Sequence, residues 1–298
     1  MRVFLTGATG FIGSLIVPDL IGAGHQVLGL ARSEAGAEAL LRAGAEVHRG
    51  DLDDIPSLVA GAANSDAVIH TAFNHDFSKF VANCENDRKV IEALGSVLSG
   101  SDRPLIITSG TGMANTVPGE PALEGNEIIT SAGHPRAASE EAGATVADRD
   151  CRVMVMRLPQ VHDTRKQGLV TYAIQAARAK GVSAYVGDGL NRWPAAHVLD
   201  TAQLYRLALE KGKAGGKYHA VAEEGVTVRE IAEAIGQGLN IPVVSLSPEE
   251  AQEHFGWLAA FVGFDLPASS EQTRRELGWS PNGPGMLSDL RDMDYAAV

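Results

Sequence analysis

Six alternations of strand and helix, starting from the first residues, predict an α/β protein built on a doubly wound parallel sheet, with a smaller, mostly helical C-terminal region. Three observations carry this. Met1–Gly13, MRVFLTGATGFIG, is a short apolar strand turned into a helix by Gly7, Gly10 and Gly13. Runs such as Ala67–Ala72 are apolar without alternation, the pattern of strands buried on both faces. Between such runs the apolar spacing becomes helical, as in Phe11, Ile12, Leu15, Ile16 and Leu20.

In order, Val3–Leu5 supplies the first strand, and the helix beginning near Phe11 ends at Gly22-Ala23-Gly24. Gln26–Ala31 is a second strand and Glu34–Ala43 an alanine-rich helix. Glu46–Arg49 is a third strand closing on Gly50-Asp51-Leu52-Asp53. After the fourth strand, Ala67–Ala72, a helix over Val81–Leu98 carries Val81, Cys84, Ile91, Leu94 and Leu98 on one stripe, so Cys84 belongs to packing. The fifth strand, Pro104–Ser109, ends in Thr108-Ser109-Gly110-Thr111-Gly112, and a Gly/Pro/Asn/Thr-rich loop follows to about Thr130. A helix near Arg136–Ala147 leads to the sixth strand, Arg152–Arg157, which runs into Leu158-Pro159-Gln160-Val161-His162.

Past about residue 165 the alternation loosens. Helices are expected over Gly168–Lys180, Thr201–Lys211 and Thr227–Leu239, strands at Ser183–Val186 and Lys217–Val221, and a loop over Gly187–Trp193. The chain divides into a unit over 1–164, to which segments near 190–222 return, and a mostly helical region over 165–298. The apolar stretch 254–261 is either a wall over a cleft or a cap on the sheet, and Trp193, Phe255, Trp257 and Phe261 are candidates to line an aromatic pocket.

Composition narrows the partners. A net charge of −12 argues against nucleic acid and anionic membrane. The two cysteines, Cys84 and Cys151, form no C-x-x-C pair, so neither disulfide scaffolding nor a thiolate metal site is expected. His70 and His75 lack partners at ligand spacing, and no metal is expected. The N-terminus enters a strand with no signal region, and no run approaches 18 apolar residues; the expectation is a cytoplasmic monomer or homodimer acting on a small molecule.

The glycine segment has the chemistry of a diphosphate site. Gly7 takes the tight turn, Gly10 permits close approach of a pyrophosphate and Gly13 lets the helix lie against the sheet, with free amides and the helix dipole favouring an anion. In such a Rossmann-type sheet the end of the second strand meets the adenosine ribose. Arg32-Ser33 stands there, and an arginine beside a serine suits a 2′-phosphate, which favours NADPH over NADH. Asp51 either accepts from the adenine amino group or caps the helix starting near Asp53.

These residues together resemble the extended and atypical short-chain dehydrogenase/reductases, the NAD-dependent epimerase/dehydratase group. The matching stretches are TGATGFIG at 6–13, GDLDD at 50–54, HTAF at 70–73, IITSG at 106–110, RLPQVH at 157–162, GDG at 187–189, HVLD at 197–200 and TRRELGW at 273–279. The resemblance implies cofactor contacts for Gly7, Thr9, Gly10, Phe11, Ile12, Gly13, Asp51, Leu52, Ala72, Phe73, Pro159 and Val161.

Members of that group carry Tyr-x-x-x-Lys on the helix after the fifth strand, with the tyrosine as general acid. Here Ala132 falls at the tyrosine position and Arg136 at the lysine position, with His134 between them; the tyrosines, at 172, 185, 205, 218 and 295, lie elsewhere in the sequence. Arg136 suits the ribose hydroxyls but does not give up a proton. Three routes remain: His134 as acid, Ser109 and Thr111 holding a developing alkoxide while water or the substrate's own hydroxyl supplies the proton, or loss of chemistry. The expected function is an NADPH-dependent reductase of a ketone or similar carbonyl on a small or aromatic molecule. A catalytically silent NADP-binding redox sensor is the alternative from another class, and a sugar-nucleotide epimerase or dehydratase stands behind both.

Overall fold

The computed structural model describes residues 1–297. β1 (Arg2–Thr6) passes through the glycine turn into α1 (Gly13–Gly22). There follow β2 (Gln26–Ala31), α2 (Glu34–Arg42), β3 (Glu46–Arg49), α3 (Ile55–Ala63), β4 (Ala67–His70), α4 (Phe80–Leu98), β5 (Ser101–Gly110), α5 (Ala138–Ala147) and β6 (Cys151–Leu158). The rest comprises β7 (Gln160–His162), α6 (Val170–Lys180), β8 (Ser183–Val186), β9 (Arg192–His197), α7 (Val198–Lys211), β10 (Lys217–His219), β11 (Glu223–Thr227) and α8 (Val228–Leu239). It ends with β12 (Val243–Leu246), α9 (Pro248–Phe255), α10 (Ala259–Val262), α11 (Glu271–Leu277) and α12 (Met286–Asp292).

Seven strands form one parallel sheet in the order β10-β6-β5-β4-β1-β2-β3. Alternation along β1 shows how it is doubly wound. Val3 and Leu5 pack with α1, α2 and α7 on one face, and Phe4 packs with α3, α4 and α5 on the other. The order reverses between β1 and β4, and there the carboxyl ends of the strands open a crevice. A second core is built on Trp193, Ile174, Ile231, Phe255 and Leu290, around β8, β9, α6, α8, α9 and α12. No helix among the described residues is long and apolar enough to cross a membrane.

Some boundaries differ from the sequence expectations for physical reasons. Val81 is 62% exposed; the buried stripe of α4 runs through Cys84, Asp87, Ile91, Leu94 and Leu98. Burial pushes the Cys84 and Cys151 thiols up to about 11, which suits packing. α1 begins at Gly13 rather than near Phe11, and Arg136 lies in a single tight turn at residues 135–137, ahead of α5. Trp193 is buried in β9 rather than placed in a loop, and Phe255 joins the same core, where both line a small apolar cavity with Val170, Ile231 and Val262.

At the end of β6, Arg157 is fully buried and grips Glu140 of α5 through two hydrogen bonds, Nε to Oε1 at 2.9 Å and Nη2 to Oε2 at 2.8 Å. Its Nη1 donates to Glu124 O at 3.2 Å and lies 3.2 Å from His219 Nε2. Burial and the adjacent guanidinium push the His219 imidazole down to about 4, so it is neutral at pH 7.

Candidate active site at the strand ends

Strand order turns the predicted residues into a row: Asp51 and Leu52 beyond β3, Arg32 and Ser33 beyond β2, the glycine turn beyond β1, Ala72 and Phe73 beyond β4, Ser109 and Thr111 at β5, Pro159 and Val161 beyond β6. With neighbouring strands about 4.8 Å apart, β2 and β5 stand about 14 Å apart across the switch point.

The glycine turn fits a diphosphate. Gly7 has φ +72°, and a Cβ there would lie 2.6 Å from Thr71 Oγ1 and 2.8 Å from Ala72 N. A Cβ on Gly13 would lie 2.1 Å from Gly7 O, so the helix start folds directly onto the turn. Gly10 N donates to Gly7 O at 2.8 Å and Ser14 N to Gly10 O at 2.9 Å, which leaves the amides of Phe11, Ile12 and Gly13 without partners among the described residues. Lys166, which sequence reasoning missed, reaches this turn from the loop after β7, its Nζ 5.6 Å from the centre of the Phe11 ring.

At β2, Arg32 is exposed, while the Ser33 hydroxyl accepts from Gly36 N and caps α2. A second arginine stands beside it. Arg49, opposite Ala31 in register, donates to Ser33 O at 3.1 Å and to Glu34 Oε2 at 2.6 Å. Asp51 does not cap the next helix: Asp54 does, through Ser57 N, while Asp51 Oδ1 accepts from the amides of Asp53 and Asp54.

Arg136 anchors the other half of the row. Nη1 meets Asp87 Oδ2 at 2.9 Å and also donates to Ser139 Oγ, Nη2 donates to Thr108 O at 2.8 Å, and the guanidinium lies 4.4 Å from the centre of the Phe73 ring. Asp87 Oδ1 meets His70 Nε2 at 2.9 Å, and His70 Nδ1 meets Thr6 Oγ1 at 2.6 Å. This buried chain was not foreseen. Burial raises the Asp87 pKa, but Arg136, His70 and Ser139 together hold it below the ordinary carboxylate range. Arg136 is therefore held on two sides, with Nε making no hydrogen bond among the described residues.

The Ser109 hydroxyl is buried and has no partner among the described residues, an arrangement that costs about 1–3 kcal/mol unless a ligand satisfies it. Thr111 Oγ1 makes a loose 3.5 Å contact to Leu158 O. Pro159 is half-buried; Val161 pairs with Ala196 of β9 and its side chain is buried. His197 caps α7 through Leu199 N and stands beside the His162–Asp289 pair. Tyr205, fully buried, bonds Thr108 Oγ1 at 2.7 Å, and burial pushes its phenol up, so it stays protonated at pH 7.

Facing Arg136 is a continuous wall of rings. Phe73 meets Phe80 at 6.4 Å, and Phe80 meets both His134 at 5.8 Å and Phe77 at 5.7 Å. Phe77 stacks on Trp257 at 4.1 Å and 13°, with Tyr172 and Phe261 edge-on to Trp257. Trp257 of the stretch 254–261 thus packs against Phe77 of the loop between β4 and α4.

The NAD dependent epimerase/dehydratase family model matches residues 3–222, most of the chain. The protein belongs to this family. As a member it is an NAD(P)-dependent enzyme of oxidoreductase or epimerase type. The chain is 47% identical over 296 residues to the uncharacterized protein C2A9.02 of Schizosaccharomyces pombe, covering 99% of this chain and 100% of that one. It is 27% identical over 252 residues to a sterol-4-alpha-carboxylate 3-dehydrogenase, decarboxylating, of Dictyostelium discoideum, covering 76% and 73% respectively. The fold matches that of the Thermus thermophilus UDP-glucose 4-epimerase solved with NAD, with a TM-score of 0.75 at 22% identity over 100% of this chain and 98% of that one.

Proposed function

We propose that this family member is an NADPH-dependent reductase of a ketone or similar carbonyl on a small or aromatic molecule, acting without a tyrosine acid. The observation that supports this best is the aromatic wall against Arg136. Phe73, Phe77, Phe80, Tyr172, Trp257 and Phe261 offer ring faces and edges to a planar apolar group, where a sugar would need a row of hydrogen-bond partners. The Dictyostelium relative, named for action on a sterol carboxylate, is in keeping with an apolar substrate. When bound, the reduced nicotinamide supplies hydride.

The chain's own groups divide the remaining work. The Phe11, Ile12 and Gly13 amides hold the diphosphate, Arg32 takes the 2′-phosphate beside Arg49, and Arg136 orients the ribose with Nε. Ser109, its hydroxyl buried and uncommitted, donates to the substrate oxygen as charge develops there, with Thr111 behind it. Titrating both cofactors tests the first half. NADPH is expected to bind more tightly than NADH, and Arg32→Ala to weaken NADPH about 10- to 100-fold, the worth of a charged hydrogen bond. Tighter NADH binding, or an unchanged preference in Arg32→Ala, contradicts the cofactor assignment. A screen of NADPH oxidation across aromatic ketones, diketones and quinones tests the second half.

A further inference from the structure

The tyrosine position of the family is vacated by Ala132, and the group that stands two residues further on, His134, is held in one tautomer. It caps the tight turn at residues 135–137: its Nδ1 accepts the Arg136 amide hydrogen at 3.3 Å, its own N–H donates to Thr130 O at 2.9 Å and its carbonyl accepts from Ala137 N at 3.0 Å. A nitrogen that accepts an amide hydrogen carries a lone pair, so the proton of the neutral ring sits on Nε2. Among the described residues nothing accepts from Nε2. The turn itself is fixed, since Glu141 takes Ser131 N at 2.7 Å and Arg88 braces the same carboxylate at 2.6 Å.

The ring's surroundings keep it neutral. Phe80 of α4 and Phe261 of α10 meet it edge to face at 5.8 and 6.3 Å, and both are uncharged. The loop between β4 and α4 brings Phe73 under Arg136 and His75 beside Phe73. Burial and the Arg136 charge lower the His134 pKa; burial, Lys166 and Arg136 do the same for His75. Both influences on His134 favour the neutral imidazole over the imidazolium.

We infer that neutral His134 donates a hydrogen bond from Nε2–H to the oxygen of the bound carbonyl, in the tautomer that the Arg136 amide dictates. This rests on the reductase reading above. A preorganised neutral donor stabilises charge developing on that oxygen without itself losing a proton, so it replaces the tyrosine's electrostatic role and leaves protonation to water. In this reading the oxygen has two donors, the uncommitted Ser109 hydroxyl and His134 Nε2–H.

The cap and the donor can be separated. His134→Ser keeps an N-cap that accepts the Arg136 amide but does not reach a substrate, so NADPH affinity and unfolding midpoint should stay near wild type. On a carbonyl that the wild type reduces, its kcat should fall about 100-fold. Independently of turnover, nitrogen-15 spectra of the NADP⁺-saturated protein at pH 7 should show His134 protonated at Nε2 and bare at Nδ1. A proton on Nδ1, an imidazolium at pH 7, or undiminished kcat in His134→Ser overturns the donor role while leaving the reductase reading intact. A wild type that reduces no carbonyl overturns both.

Discussion

Gly13→Ala is expected to remove dinucleotide binding and to destabilise the fold by about 1–3 kcal/mol, the cost of forcing a side chain into closed packing. The added Cβ would stand 2.1 Å from Gly7 O and 2.7 Å from Gly7 C, both backbone atoms. They have nowhere to go. Gly7 sits at φ +72° with its carbonyl held by Gly10 N at 2.8 Å, and the turn can move only by carrying the Phe11 and Ile12 amides out of line with a diphosphate. Gly22, exposed at the end of the same helix with open space around its Cα, is the control: Gly22→Ala should bind normally and gain up to about 1 kcal/mol. Calorimetric titration with NADPH and a urea unfolding series check both. Binding by Gly13→Ala within a few-fold of wild type would contradict the assignment of this turn.

Glu140→Ala should cost more, about 3–5 kcal/mol, because it strands a fully buried Arg157. The carboxylate takes two of the guanidinium's hydrogen bonds; Glu124 O and His219 Nε2 remain, and neither carries a compensating negative charge. Because β6 ends at this pair, loosening it should also displace Pro159 and weaken cofactor binding. The double change Glu140→Met with Arg157→Met removes both charges and should be much less destabilised than either single change to alanine. Urea midpoints distinguish the cases. A loss below about 1 kcal/mol in Glu140→Ala would show that water reaches Arg157.

How much of this was legible depended on whether a signal was local. The first six strands of the sheet were legible in order, the central ones because strands buried on both faces read as unbroken apolar runs, while β10 showed only as a strand-like stretch at 217–221; the glycine roles followed from spacing. β9, β11 and β12 were not legible. β9 carries Pro194 and two polar ends, β11 begins Glu-Glu-Gly and pairs through a register shift, and β12 is four residues long with a serine in it. The chain from Thr6 through His70 and Asp87 to Arg136 was missed, although it left a mark: Asp87 falls on the apolar stripe of α4, between Cys84 and Ile91, where an unpaired carboxylate would be costly. Arg49 was hidden differently. Only the register of β3 against β2 brings it beside Arg32. The aromatic wall joins Phe77, Tyr172 and Trp257, contacts between distant stretches that no local pattern encodes.

The most direct test of the proposal is deuterium transfer. The purified protein is supplied with NADPH carrying deuterium at nicotinamide C4 and with a panel of aromatic ketones, and the products are weighed by mass spectrometry. The account predicts an alcohol with one deuterium on the former carbonyl carbon, formed in step with NADP⁺, and no such label with NADH at equal concentration. Tight NADPH binding with no deuterium in any product would contradict it and point instead to a protein that senses the cofactor.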